Sequence, residues 1–155
     1  MSPPDFIAAI APAAVASMAA TRIPASFVIA EGALESAWGA SQLALQAHNL
    51  FGVKADAGWH GAVLAMRTRE IVHGHAVIVP ANWRSYPDWA SCIADHAAFL
   101  QDNPRYHAAF AQCAGAEAFA RAVAAAGYAT DPDYAGKIIA VIRAHDLTRY
   151  DRSPA

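Results

Sequence analysis

Charge is scarce in this chain. Only 15% of its 155 residues are Asp, Glu, Lys or Arg, the net charge is -2 with histidines neutral, and no Lys/Arg block occurs. An electrostatic grip on nucleic acid or on an anionic membrane has no visible source, so neither is expected as a partner. Cysteine is nearly missing too. Cys92 and Cys113 are too few for a disulfide framework, although an oxidising compartment would allow the two to pair. No run of 18 or more apolar residues without charge reads as a membrane span. The alanine-rich N-terminus lacks the basic leading segment of a secretion signal and carries Asp5 and Pro12. If the protein works outside the cytoplasm, a pore or a dedicated exporter is expected to carry it. No repeat, low-complexity tract or Pro/Ser-rich linker divides the sequence, which reads as one domain over 1–155 without a separate anchoring module.

What is abundant is apolar residues, 56% of the chain, many of them alanine. That composition favours helices around a packed core and argues against disorder. Phe6, Ile7, Ile10, Ala14 and Met18 recur at helical spacing, with Pro12 predicting a kink or break in the helix from Asp5 to about Ala20. Pro24 opens a second helix that runs to about Trp38, where Gly39 stops it, which places Glu35 in the last turn. Ser41 caps a short helix over 42–47, and His48-Asn49-Leu50-Phe51-Gly52 reads as a turn. The pattern then changes. Residues 62–72 and 75–79 are rich in β-branched side chains and flank His73-Gly74, which predicts a hairpin. Pro80-Ala81-Asn82 is expected to end it, with 83–86 adding a short edge strand. Helices resume behind Asp88, around Arg105 to Ala111, between Gly115 and Gly127, and from Asp131-Pro132 to about His145. The predicted class is α+β, mainly α-helical, with a small β lobe at about 62–86.

Few residues are chemically eligible for a site. Glu35 follows Leu34, precedes Trp38 near a helix end, and has Glu31 one turn back. Desolvation and a like charge both raise a carboxyl pKa, as a general acid working near neutrality requires. An exposed helical glutamate remains the plain alternative. Glu70, in the hairpin between Thr68 and Ile71, is a second carboxyl able to fold over a cleft, and otherwise a solvated strand residue. Aromatic side chains supply faces on which sugar rings stack, with Trp38, Phe51, Tyr106 and Tyr128 among them; others of the set belong to the core. His73 and His75 lack a third matched ligand, so no metal is expected, and no cofactor motif is present. Cys92 with His96 at i+4 lies mid-helix without a supporting nucleophile motif.

Four segments occur in order along the chain: Ala33-Leu34-Glu35-Ser36-Ala37-Trp38-Gly39, Asn49-Leu50-Phe51-Gly52-Val53-Lys54, Asn103-Pro104-Arg105-Tyr106 and Gly127-Tyr128-Ala129-Thr130-Asp131-Pro132-Asp133-Tyr134-Ala135. Together they resemble the flagellar-rod-type N-acetylglucosaminidase family, glycoside hydrolase family 73, from Phe6 to about Leu147. The resemblance implies a lysozyme-like fold and cleavage of the β-1,4 bond between N-acetylglucosamine and N-acetylmuramic acid in peptidoglycan. It assigns Glu35 as general acid, Glu70 as the second carboxylate of the β lobe, and Tyr128 as a tyrosine near the reaction centre. Asp95 falls on an acidic position of the site. Trp38, Phe51 and Tyr106 are expected beside the glycan. The family commonly has glutamine where this chain has Glu31, and the segment around Glu70 is shorter and differently composed than in many members.

Two mechanisms stay open at this point. Glu70 as base would activate water and invert the anomer, with the carboxyls roughly 6.5 to 9.5 Å apart; alternatively the substrate's own 2-acetamido oxygen attacks, oriented by Tyr128 or Asp95. A lytic transglycosylase, a muramidase, and a non-catalytic wall-binding protein on the same scaffold are the competing functions. A monomer that acts as a phage-type endolysin is the expected setting, with a secreted effector and an exported wall enzyme as alternatives.

Overall fold

A computed structural model of the chain describes residues 1–111 and 114–152. Cys113 lies outside the described residues, and with it the possible bridge to Cys92. The helical body comprises α1 (Pro3–Thr21), α2 (Ala25–Glu35), α3 (Gln42–Ala47), α4 (Trp89–Asp102), α5 (His107–Ala111), α6 (Ala116–Ala125) and α7 (Tyr134–Ala144), with 3-10 turns at Pro104–Tyr106 and Leu147–Asp151. One antiparallel hairpin, β1 (Val63–Val72) and β2 (His75–Arg84), is inserted between α3 and α4.

The body is organised around α2. Every residue from Ala25 to Ala33 is buried, so this helix is covered on all sides, as its almost uniformly apolar sequence requires. It packs against α1, α6, α7 and the C-terminal 3-10 turn, with Phe27 edge-on to Phe119. Pro24 offers the helix start no side-chain cap. Asp151 supplies one from the far end of the chain, accepting from the Ser26 N–H at 2.8 Å and from its hydroxyl at 2.6 Å. Only the last two residues of α2, Leu34 and Glu35, reach the surface.

The helix ends at Glu35, three residues before the predicted stop. Ala37, Trp38 and Gly39 all have left-handed backbone, with φ of 50°, 58° and 76°. Ser36 holds this turn: its hydroxyl donates to the Gly32 carbonyl and accepts from the Gly39 N–H at 2.8 Å. A Cβ on Gly39 would stand 3.0 Å from Phe6 Cδ2 and 3.1 Å from Trp89 Cη2, so Gly39 is required by both its φ and its neighbours.

Helix α1 runs unbroken through Pro12, against the predicted kink or break. Phe6, Ile7, Ile10, Ala11 and Ala14 bury one face on α2 and α4. Pro12 and Ala8 lie on the solvent side, where water can serve the carbonyl that the proline leaves unpaired. By length and composition α1 is also apolar enough to cross a membrane, a property that the charge-free run sought in the sequence did not detect.

The hairpin differs in a similar way. Strand β2 continues through Pro80 to Arg84 instead of ending at residue 79, and the separate edge strand is part of it. His73 and Gly74, with φ of 49° and 78°, make the two-residue turn. Counting from the pair Val72–His75 that closes it, Pro80 opposite Arg67 falls on a non-hydrogen-bonded pair. Its missing N–H therefore removes no bond from the ladder. At the base, Asn49 ties the hairpin to the body by donating to the carbonyls of Val53 (2.9 Å) and Arg84 (2.8 Å) and accepting from the Val53 N–H (3.0 Å). Ser41 and Asp88 cap α3 and α4 as their sequence positions predict.

Substituting Gly39 by alanine should lower stability by about 1 to 3 kcal/mol, because a non-glycine residue must hold the left-handed backbone while meeting two rings. Thermal unfolding followed by circular dichroism reads this; an unchanged melting temperature would mean that the turn relaxes freely.

Candidate active site

At the exposed end of α2 the Glu35 carboxyl is partly withdrawn from water, and this desolvation raises its pKa above the ordinary 4.5. The Glu31 carboxylate, one turn back, adds to the rise, and His96 opposes it. The like-charge neighbour predicted from i-4 spacing is therefore present, but its setting is not the expected one. Glu31 is completely buried. Its Oε2 faces His96 Nε2 at 2.8 Å, and its Oε1 accepts from the Tyr134 hydroxyl at 2.9 Å. Burial alone would raise the Glu31 pKa; the charge of His96, its hydrogen bond, and the hydroxyls of Tyr128 and Tyr134 together hold it below the usual value.

The His96 ring is stacked on Phe51 at 4.0 Å between centroids, and its Nε2 is 3.4 Å from the Tyr128 hydroxyl. Tyr128 in turn packs on Tyr134 (5.3 Å) and Tyr106 (5.9 Å). Burial and the Glu31 charge push the phenols of Tyr128 and Tyr134 well up, so both stay protonated as donors. Next to this group is a cavity of about 250 Å³ lined by Phe51, Gly52, Val53, Arg84, Asp95, His96, Phe99 and Tyr128. Asp95 also lines two neighbouring hollows, one floored by Trp59, Tyr86 and Pro87 and one by Phe99, Asn103 and Pro104. It marks the junction of the three. Its carboxylate accepts from Arg84 Nη1 at 2.8 Å and from the Tyr86 hydroxyl at 2.6 Å, while the guanidinium lies 4.7 Å over the Trp59 ring.

Of the residues singled out in the sequence, Phe51, Asp95 and Tyr128 thus meet at one cavity, and Glu35 stands within electrostatic reach of Tyr128. Tyr106 is buried behind Tyr128 and Phe99, where it packs rather than faces open space. Trp38, partly buried, also packs on the body. Its ring is set edge-on against Phe6 at 5.9 Å and His145 at 4.9 Å, so it wedges the turn after Glu35 into the body. Glu70 is half-exposed on β1 and ion-paired with Lys54, whose ammonium also lies 5.6 Å from the Trp83 ring. The two candidate carboxyls therefore stand on different parts of the fold, one on the helical body and one on the hairpin.

The Cys92–His96 nucleophile fails on two counts. Burial pushes the thiol up to about 12, and His96 is engaged by Glu31. Among the described residues no group of three His, Cys, Asp or Glu side chains is placed to hold a metal. The buried pair Glu31–His96, with Tyr134 behind it, was not read from the sequence. A signal existed: a helix apolar on all sides buries any charge within it, and a buried charge requires a partner.

A family model described as Mannosyl-glycoprotein endo-beta-N-acetylglucosaminidase matches residues 11–147. The peptidoglycan hydrolase FlgJ of Salmonella typhimurium is 39% identical over 143 residues, covering 90% of this chain and 45% of FlgJ. The exo-glucosaminidase LytG of Bacillus subtilis is 38% identical over 130 residues, covering 81% of this chain and 45% of LytG. The chain thus spans less than half the length of these curated relatives. The solved C-terminally truncated glycoside hydrolase domain of Salmonella typhimurium FlgJ superposes with a TM-score of 0.81 at 38% identity, covering 94% of this chain and 98% of that one. With a match over most of its length in sequence and in structure, the chain belongs to the glucosaminidase family of glycoside hydrolases, family 73, and has its lysozyme-like fold.

Proposed function

We propose that this chain hydrolyses the β-1,4 bond between N-acetylglucosamine and N-acetylmuramic acid in peptidoglycan, with Glu35 as the general acid. The observation that carries the reading is the position of Glu35. It is the exposed end of a fully buried helix, rigidly placed, with a pKa raised by desolvation and by Glu31. Such a carboxyl holds a proton at pH values where an ordinary glutamate has lost it, and can deliver it to the leaving glycosidic oxygen. The relatives named as a peptidoglycan hydrolase and a glucosaminidase support the choice of polymer.

Two routes complete the reaction, and both keep Glu35 as acid. In the first, the hairpin brings Glu70 over the bound glycan, where it takes a proton from the attacking water, and the anomer inverts. In the second, the substrate's acetamido oxygen attacks the anomeric carbon and water opens the resulting ring, so that the configuration is retained. The exposed ion pair of Glu70 with Lys54 occupies one of its oxygens and leaves the other able to accept a proton, so it is compatible with either route. Tyr128 and Asp95, meeting at the cavity beside Phe51, would hold the acetamido group and the neighbouring hydroxyls. The chain acts here as one catalytic domain working on the cell wall, whether delivered as a phage-type endolysin or exported by its host.

Replacing Glu35 by Gln should reduce hydrolysis of purified peptidoglycan by about 10²- to 10⁴-fold while leaving glycan binding in place. Mass spectrometry of the digest should show N-acetylglucosamine at the new reducing ends. N-acetylmuramic acid there would point to a muramidase, 1,6-anhydro ends would point to a transglycosylase, and a Gln variant as active as the parent would remove Glu35 from the mechanism.

For Glu70, the substitution E70Q separates the routes. Activity within about twofold of the parent, with retained configuration by NMR of the product anomer, fits the substrate-assisted route; a collapse comparable to that of E35Q fits the inverting one.

Stability should carry the mark of the acid as well. The folded chain binds the Glu35 proton more tightly than the unfolded chain, whose value is near the ordinary 4.5. The stability this proton confers is full below that value and is lost as pH rises through the raised folded value. E35Q, always neutral, should therefore melt above the parent at neutral and alkaline pH, and the gap should close in acid. A gap independent of pH would contradict the raised value.

A further inference from the structure

The groups that face Glu35 come from four parts of the fold: Glu31 from its own helix, His96 from α4, Tyr128 from the loop after α6, and Tyr134 from α7. Three of them converge on Glu31. This carboxylate is the one acidic side chain in the stretch of α2 that is buried throughout, and it has no access to water. A helix needing only cohesion would be served as well, or better, by an apolar residue of similar volume, because withdrawing two charges from water offsets most of their mutual attraction. The charge is nonetheless retained one turn from the end that carries Glu35.

We infer that the buried Glu31–His96 pair is a positioning unit of the catalytic site, acting on Glu35 through its field and on Tyr128 through hydrogen bonding, with Glu31 itself out of reach of substrate. This rests on the reading of Glu35 as the acid. The geometry links the pair to both ends of the site. His96 is clamped face to face with Phe51, which lines the cavity, and its Nε2 lies between the Glu31 carboxylate at 2.8 Å and the Tyr128 hydroxyl at 3.4 Å. Tyr134 holds the other oxygen of Glu31 and packs on the Tyr128 ring. Any movement of His96 or Tyr134 is thereby transmitted to Tyr128. On Glu35 the two members act in opposite senses, with Glu31 the stronger influence and His96 the weaker. The pair as a whole therefore leaves a net push toward the protonated acid.

The net push toward the protonated acid makes the inference testable by sign. The alkaline limb of the pH profile of kcat/KM reports loss of the acid's proton in the free enzyme. In E31Q, which keeps the size and an amide able to bond to Tyr134 and His96, that limb should move to lower pH with little change in KM. In H96Q, where Glu31 loses the partner that keeps it charged, the limb should likewise move to lower pH. In the double variant E31Q/H96Q, which removes both members together, it should also move to lower pH. A purely structural pair would change the melting temperature and leave the limb where it is; an unmoved limb in folded E31Q or in the double variant overturns the inference.

One measurement needs no variant. Carboxyl-carbon NMR of the parent protein should show Glu31 ionised throughout the range in which Glu35 titrates, and a Glu31 that gains its proton first would equally overturn it. If E35Q proves as active as the parent, the assignment of the acid fails; the NMR titration still reads the coupling of Glu31 to Glu35, so the two failures are distinguishable.

Discussion

Burial of α2 on every side is the constraint from which the rest of the molecule follows. A helix in the centre of a small protein cannot turn, slide or fray without disturbing the elements packed on it, and α2 touches both ends of the chain: α1 covers one face and the 3-10 turn at Leu147–Asp151 closes over its start. The Asp151 carboxylate occupies the place of the N-terminal cap that Pro24 does not provide. Fixing the start of the helix so firmly also fixes its end. Glu35 projects from the one part of α2 that is not covered, and the left-handed turn from Ala37 to Gly39 leads the chain away at once. Trp38, wedged between Phe6 and His145, keeps that turn from lifting. In the role proposed for Glu35, an acid that must meet a glycosidic oxygen at hydrogen-bond distance gains from this rigidity, since a displacement of about 1 Å can lower the rate by roughly 10²-fold.

The same burial creates the electrostatic problem that the site uses. A carboxylate inside a close-packed body would ordinarily take up a proton, so Glu31 stays charged only because His96 and two phenols surround it. Those partners are themselves among the aromatic residues that line or back the cavity. Core cohesion and site chemistry therefore share side chains here: Phe51 stacks on His96 and faces the cavity, and Tyr134 is at once a buried packing residue and the donor to Glu31. Changes at these positions have to be judged by pH dependence as well as by stability, because both properties pass through the same atoms.

Most of the local structure was legible in the sequence. Ser41 and Asp88 cap the helices they precede, His73-Gly74 turns the hairpin, and Glu35 sits in the last turn of its helix, because each of these depends on the chemistry of neighbouring residues. What escaped depends on partners chosen across the fold. Asp151 caps a helix 125 residues away, and His96 meets Glu31 across 65 residues; spacing along the chain carries no record of either. Pro80 misled for a different reason. A proline in a strand is tolerated or not according to which pairs are hydrogen-bonded, and that depends on register, which the turn sets. Pro12 likewise is tolerated because it lies on the outer face of α1, a fact of packing rather than of propensity. Among the candidate site residues, Phe51, Asp95 and Tyr128 converge on one cavity, whereas Trp38 and Tyr106, which looked alike in the sequence, pack against neighbouring rings.

The two carboxyls differ most in mechanical support, and that difference bears on how the reaction is divided between them. Glu35 is anchored by a helix buried along its length. Glu70 stands on a two-stranded hairpin, whose attachment runs through its base: the Asn49 hydrogen bonds, the contact of 53–55 with β2, and the Arg84 links to Asp95 and Asp56. Register places Glu70 opposite Val77, close to the turn, where an exposed ion pair with Lys54 is its link to the base segment. A group at the end of such a lever can be brought to a substrate but is not held for it beforehand. Under the proposed assignment, the step that needs the tightest geometry, proton delivery to the leaving oxygen, falls to the rigid residue. In the proposed reaction the second step falls either to Glu70 or to an acetamido oxygen that the substrate itself carries in place, and the latter asks the smaller reorganisation of the protein.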